Sequence, residues 1–156
     1  MADALRLTLI LEVKAVVGEP AELGSGPDGR RRLVPIVGGT CQGRGELTIA
    51  GRVVPGGADT QLIHADGLTE ADARYALETD GGELIHVRNR GLRHAPPDVM
   101  RRLLAGERVD PALVYFKTTP VFETAVPALQ VLTRSIFVGS GERYPETVVL
   151  RFFKVE

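Results

Sequence analysis

Two carboxylates, Asp59 and Glu123, and six further polar side chains, Gln61, Arg74, Tyr75, Asn89, Lys117 and Arg134, fall in or at the ends of runs that alternate apolar and polar residues. A carboxylate flanked by apolar neighbours is held away from water. That disfavours its charged form and lifts its pKa towards working pH, as a general acid or base requires. Asp59 and Glu123 are therefore the candidate catalytic groups. Lys117 and Arg134 would neutralise an anionic group of a ligand, while Gln61, Tyr75 and Asn89 would orient it by hydrogen bonds and Arg74 joins them as a binding candidate. The same residues have a second account. Buried charges are costly unless paired, so they could equally form an internal salt-bridge network or an outward, solvated set. Strand parity leaves this open, because Arg74 alternates with Asp72 and Glu78 whereas Tyr75 shares a face with Ala71, Ala73 and Leu77.

Other chemistries lack their residues. His64, His86 and His94 are the only histidines and show no HxH or HExxH spacing, so no metal site is expected. Cys41 is the sole cysteine and has no histidine near it in sequence, which argues against both a disulfide and a thiol nucleophile. There is no Gly-x-Ser-x-Gly elbow. The glycines at 38, 39, 43 and 45 lack a Gly-Lys-Ser/Thr ending and lead into a strand rather than a helix, so they are not a phosphate cradle. Proton transfer needs no cofactor, and none is expected.

The elements that must position these groups are strands. Period-two alternation begins at Leu5, Leu7, Leu9, Leu11 and Val13, predicting a strand over 5–14 with those residues buried. Residues 18–32 are rich in Gly and Pro and read as a mobile loop. Strands follow at 46–54 and 59–65, joined as a hairpin by Pro55-Gly56-Gly57, then at 71–79 and 83–90, joined by Asp80-Gly81-Gly82. One helix is predicted near 97–105, with Pro96-Pro97 at its start, Asp98 as its cap and Gly106 at its end. Strands at 115–124, 132–138 and 147–155 complete the set. Eight strands with mostly hairpin-length connections predict an all-β fold, a single antiparallel closed or nearly closed β-barrel of calycin or lipocalin type, with one short helix.

Bulk properties agree with one domain over residues 1–156. The chain is 44% hydrophobic and 25% charged, ordinary for one buried core. A net charge of -1, with Arg30-Arg31-Arg32 as the one basic run, argues against a nucleic-acid partner. No stretch approaches the ~18 apolar residues of a membrane helix, and the N-terminus alternates instead of forming a signal peptide, so a cytoplasmic location is expected. Exposed strand edges and broad apolar faces predict a homodimer.

Four stretches carry a resemblance: VPGGADTQLIHADG, DARYALETDGGELIHVRNRG, YFKTTPVFET and LTRSIFVGSGER. In order and spacing, over residues 37–155, they resemble uncharacterised protein family 0311, domain of unknown function 3237. The resemblance implies a compact β-barrel of bacterial and fungal distribution, with no agreed activity to carry over. Two tryptophans of the family pattern are Thr60 and Val131 here, and the arginine after Tyr-Phe is Lys117, which keeps the charge but loses the planar fork. Replacing large rings by small side chains implies either a repacked core or a cavity of altered size. Three classes of function remain. The first is a cofactor-independent isomerase, cyclase or lyase acting on a small oxygenated, partly apolar molecule. The second is a non-catalytic binding module, and the third a structural homo-oligomer without a ligand.

Overall fold

The computed structural model describes residues 3–156 and arranges them as a closed antiparallel β-barrel. The strands are β1 (Leu7–Val17), β2 (Ala21–Gly26), β3 (Gly29–Gly43), β4 (Ala50–Val53), β5 (Gly57–Ile63), β6 (Thr69–Thr79), β7 (Leu84–His94), β8 (Tyr115–Glu123), β9 (Phe137–Arg143) and β10 (Thr147–Val155). The helix α1 spans Pro97–Leu104. Around the barrel the order is β1, β10, β9, β8, β7, β6, then β4 and β5 together, then β3, which pairs back onto β1. Eight positions close the barrel, and β2 stands outside them as a hairpin arm on β3.

β3 is the closing strand, and it occupies sequence that the residue chemistry assigns to a loop and a glycine run. Its first half pairs with β2 and β5, its second half with β1 and β4. Strand pairing survives these glycines because the barrel needs close approaches there: a Cβ on Gly39, at φ +133, would stand 2.1 Å from the Lys14 carbonyl oxygen. A register shift between Val16 and Val17 bends the pair at the same place.

Three further expectations are corrected. β4 and β5 do not form a hairpin: both pair with β3 and β6, so Pro55-Gly56 is a kink between two collinear segments at one barrel position. A register shift between Leu9 and Leu11 changes the phase of β1, leaving Leu5 and Leu7 exposed while Ile10, Leu11 and Val13 are buried. Asp98 lies in the first turn of α1, whose cap position is Pro96, and makes no capping hydrogen bond. The hairpin of β6 and β7 forms as its Asp-Gly-Gly turn predicts, in unbroken register from Thr69 opposite Arg93 to Glu78 opposite Leu84.

The interior divides into two halves. One end is filled by Leu11, Val13, Leu77, Ile85, Val87 and an edge-to-face trio of Phe122, Phe137 and Phe152, which leaves no room for a ligand. Ile85 is wholly buried in this packing. Ile85→Val deletes one methylene there and is expected to cost about 0.5–1.5 kcal/mol in urea unfolding. The other end of the barrel is polar, and α1, with Val99, Met100 and Leu103 turned inward, makes a separate small cluster with Val109.

Candidate functional site

Inward positions at the polar end come from strands that continue the apolar alternation of the packed end. On β7 the inward series runs Ile85, Val87, Asn89, Gly91, Arg93; on β8 it runs Phe122, Pro120, Thr118, Phe116. β5 supplies Asp59 and Gln61, β6 Tyr75, Ala73 and Ala71, and β9 Arg143. Of these, Asp59, Gln61, Tyr75, Asn89, Arg93, Thr118 and Arg143 line an internal cavity of about 40 Å³, together with Phe116 and aliphatic side chains such as Val17, Val34, Val148 and Leu150. Gly91 and Gly141 keep the wall thin, since a Cβ at Gly141 would sit 2.7 Å from the Phe116 ring.

Asp59 is held at a break in the β5–β6 ladder. Pairing stops after Asp59 opposite Ala73 and resumes at Leu62 opposite Glu70. In the gap the Asp72 N–H donates to Asp59 Oδ1 at 2.9 Å, and Gln61 Nε2 donates to Oδ2 at 2.8 Å. Burial lifts the Asp59 pKa above its ordinary 3.8, opposed by those two hydrogen bonds and by the charge of Arg93. Burial also holds the Arg93 guanidinium down to about 10, so it remains charged at neutral pH. Desolvation leads for both groups, because they attract each other without forming an ion pair.

Few of the polar atoms at this end find a partner in the protein. Gln61, Tyr75 and Arg93 are 4% exposed and Asn89 and Thr118 3%, yet Gln61 Oε1, Tyr75 Oη, Asn89 Oδ1, Arg93 Nε and Thr118 Oγ1 are all unpartnered. Arg143 NH1 and Arg32 Nε complete the set of buried unpartnered side-chain atoms among the described residues. Native interiors pair such groups almost without exception, so the convergence of all but Arg32 on one cavity makes it the candidate site. Tyr75→Phe removes one unpartnered hydroxyl and is expected to stabilise the fold by about 1 kcal/mol in thermal unfolding, where loss of a made hydrogen bond would destabilise it.

The structure brings together four of the eight residues singled out from the sequence: Asp59, Gln61, Tyr75 and Asn89. It does not bring the other four to them. Glu123 is exposed on β8 opposite His86, Arg74 is outward on β6 and 3.9 Å from Asp72 Oδ1, and Lys117 donates to Ser140 Oγ at 2.9 Å on the outer wall. Arg134 is exposed and reaches Gln130 Oε1 at 3.4 Å. Sequence reasoning passed over Arg32, Arg93, Thr118 and Arg143. Arg93 carried a signal, because it has the parity of Asn89 two positions beyond Gly91. Thr60 also faces outward, so the tryptophan replaced there bears on the exterior and not on the internal cavity. Val131 is half-buried against the core.

A larger concavity of about 970 Å³ lies outside the wall, over Leu7, Leu62, Leu92, Tyr115 and Phe153. Within it Lys117 donates to Ser140, and Asp72 on its wall pairs with Arg88. Among the described residues no group of three His, Cys, Asp or Glu side chains could hold a metal ion, and no helix is long and apolar enough to cross a membrane.

Residues 5–155 match the family model described as protein of unknown function, DUF3237. The UPF0311 protein RPA1785 of Rhodopseudomonas palustris is 40% identical over 155 residues, covering 99% of both chains, and its crystal structure superposes with a TM-score of 0.94 over 99% of this chain and 100% of that one. The UPF0311 protein CA_C3321 of Clostridium acetobutylicum is 37% identical over 98% of this chain and 92% of the relative. A crystal structure described as a beta-barrel like protein from Acinetobacter baumannii is 34% identical, with a TM-score of 0.85 over 100% of this chain and 99% of that one. A structure described as an enzyme from Penicillium herquei shares the fold at 18% identity, with a TM-score of 0.72 over 100% of this chain and 98% of that one. Matched over nearly its whole length by the family model and by these relatives, the chain belongs to the DUF3237 (UPF0311) family.

Proposed function

We propose that the protein binds a small oxygenated molecule at the polar end of its barrel and that Asp59 exchanges a proton with it, without a cofactor. The observation that carries this reading is the convergence of buried, unpartnered donors and acceptors on one cavity that also contains a carboxylate of raised pKa. Perturbed carboxylates in such surroundings are the usual form of an acid–base group. A purely structural role accounts for the two hydrogen bonds that Asp59 accepts across the ladder gap, but it leaves Tyr75, Asn89 and Thr118 without a purpose for their polar atoms. An eight-stranded barrel is wide enough for one small ligand, which suits both turnover and simple retention. The neighbour described as an enzyme is compatible with catalysis on this fold.

Proton exchange at carbon is a direct readout that needs no knowledge of the natural reaction. A panel of small ketones, aldehydes and oxo-acids incubated in deuterium oxide with the protein should include compounds whose α-protons exchange faster than in buffer. Acceleration that vanishes in Asp59→Asn supports catalysis. Binding without exchange, seen as saturable shifts of the Gln61 and Asn89 side-chain amides, leaves the protein a binding module. Neither effect across the panel removes the reading.

A further inference from the structure

Charge at the polar end of the barrel is net positive. Arg32, Arg93 and Arg143 bring three guanidiniums against the single carboxylate of Asp59, and their mutual repulsion adds to burial in lowering the pKa of Arg93 and Arg143. Arg32 is answered from outside the cavity: its Nε is 3.5 Å from Glu22 Oε1, and its NH1 donates to the Leu104 carbonyl at 3.1 Å. Arg93 and Arg143 have no such relief. Neither makes an ion pair or a side-chain hydrogen bond among the described residues, and Arg93 Nε and Arg143 NH1 are buried without an acceptor. The Phe116 ring lies over Arg93, with its centroid 5.7 Å from the guanidinium carbon. A charge taken out of water is tolerated when a counter-charge meets it, and here the one carboxylate of Asp59 faces both Arg93 and Arg143 without forming an ion pair with either.

The geometry points to a ligand that carries a carboxylate, seated in the cavity against Arg93 and Arg143, with Tyr75 and Asn89 placed to hold a neighbouring oxygen. This rests on the reading of that end as a ligand site. Charge and shape choose among anions. A phosphate would bring up to two charges into a cavity that Val17, Val34, Val148 and Leu150 line beside the polar groups. A planar carboxylate also matches the guanidinium fork, which binds it through paired hydrogen bonds.

Acetate, acetamide and inorganic phosphate at constant ionic strength test the assignment, read from the Arg93 and Arg143 Nε–H and the Gln61 and Asn89 amide signals of the labelled full chain. Acetate should shift these signals saturably and bind at least about tenfold more tightly than acetamide, which keeps the shape and lacks the charge. Arg93→Met and Arg143→Met should each abolish the acetate response, while Arg134→Met, on the surface, should keep it; Arg93→Lys serves if the methionine variant fails to fold. Equal binding of acetate and acetamide, an acetate response that survives Arg93→Met, or phosphate binding more tightly than acetate would each overturn the carboxylate assignment. If acetamide alone shifts the Gln61 and Asn89 amides, this inference fails and the binding reading stands. No response to any of the three probes overturns the carboxylate assignment and counts against the binding reading as well.

Discussion

Arg93→Met should yield a more stable protein that has lost its ligand. The native guanidinium is buried to 4% exposure, carries an unpartnered Nε, and has only the charge of Asp59, without an ion pair, and the Phe116 ring at 5.7 Å to offset its burial. Replacing buried charges by apolar side chains of similar length is often neutral or stabilising by about 1–4 kcal/mol. A cation–π contact of about 0.5–2 kcal/mol is lost in exchange, and methionine adapts its shape to what remains. The expected net change is a gain of about 1–3 kcal/mol. Its pH dependence has a definite sign. Folding lowers the Arg93 pKa to about 10, so the folded state binds that proton more weakly than the unfolded chain and the charged form costs stability at every pH below the folded value. The cost fades only as pH rises through about 10 towards the guanidinium's ordinary, higher value. The gain in Arg93→Met should therefore be constant between about pH 6 and 9. Urea unfolding across that range measures it. A loss of stability of similar size would show that Arg93 is a structural group with a partner, and would remove the functional assignment of the cavity.

Asp59→Asn is expected to lower any proton-transfer rate by about 10²–10⁴-fold while leaving the barrel folded. The side chain stays almost isosteric. Its Oδ1 can still accept from the Asp72 N–H, and Gln61, whose Oε1 is unpartnered, can rotate its amide to accept from the new Nδ2. What changes is ionisation. Because folding raises the Asp59 pKa, the carboxyl contributes stability that is complete below its ordinary 3.8 and is lost as pH rises through the folded value. Unfolding free energies of the wild type should carry that decline, and those of Asp59→Asn should not. Where Asp59 acts as a base, the wild-type rate should rise with pH through the same ionisation, giving one pKa in two independent measurements. A variant that retains the wild-type rate, or that unfolds at neutral pH, would make Asp59 the cap of the ladder gap and nothing more.

The amino-acid sequence determined the all-β architecture, most of the strand order and the candidacy of Asp59, Gln61, Tyr75 and Asn89 as strand residues able to share a cavity. Period-two alternation reports which side chains share a face: Tyr75 keeps step with Leu77 on β6, Asn89 with Ile85 and Val87 on β7, and Asp59 with Gln61 on β5. The Asp-Gly-Gly turn fixed the β6–β7 register for the same local reason. Only the tertiary structure decided the rest. β3 is a strand because β1, β2, β4 and β5 pair with it, a condition that no local signal in Gly29–Gly43 expresses. A bulge resets the phase of β1, so alternation correctly read at Leu5 and Leu7 names the wrong face. Lys117 and Arg93 look alike in sequence, each a cation in a strand, and one lies on the outer wall beside Ser140 while the other faces the cavity. Chain alternation tells that two residues face the same way. Which way is inward is decided only when the sheet closes, because burial belongs to the barrel and not to the strand.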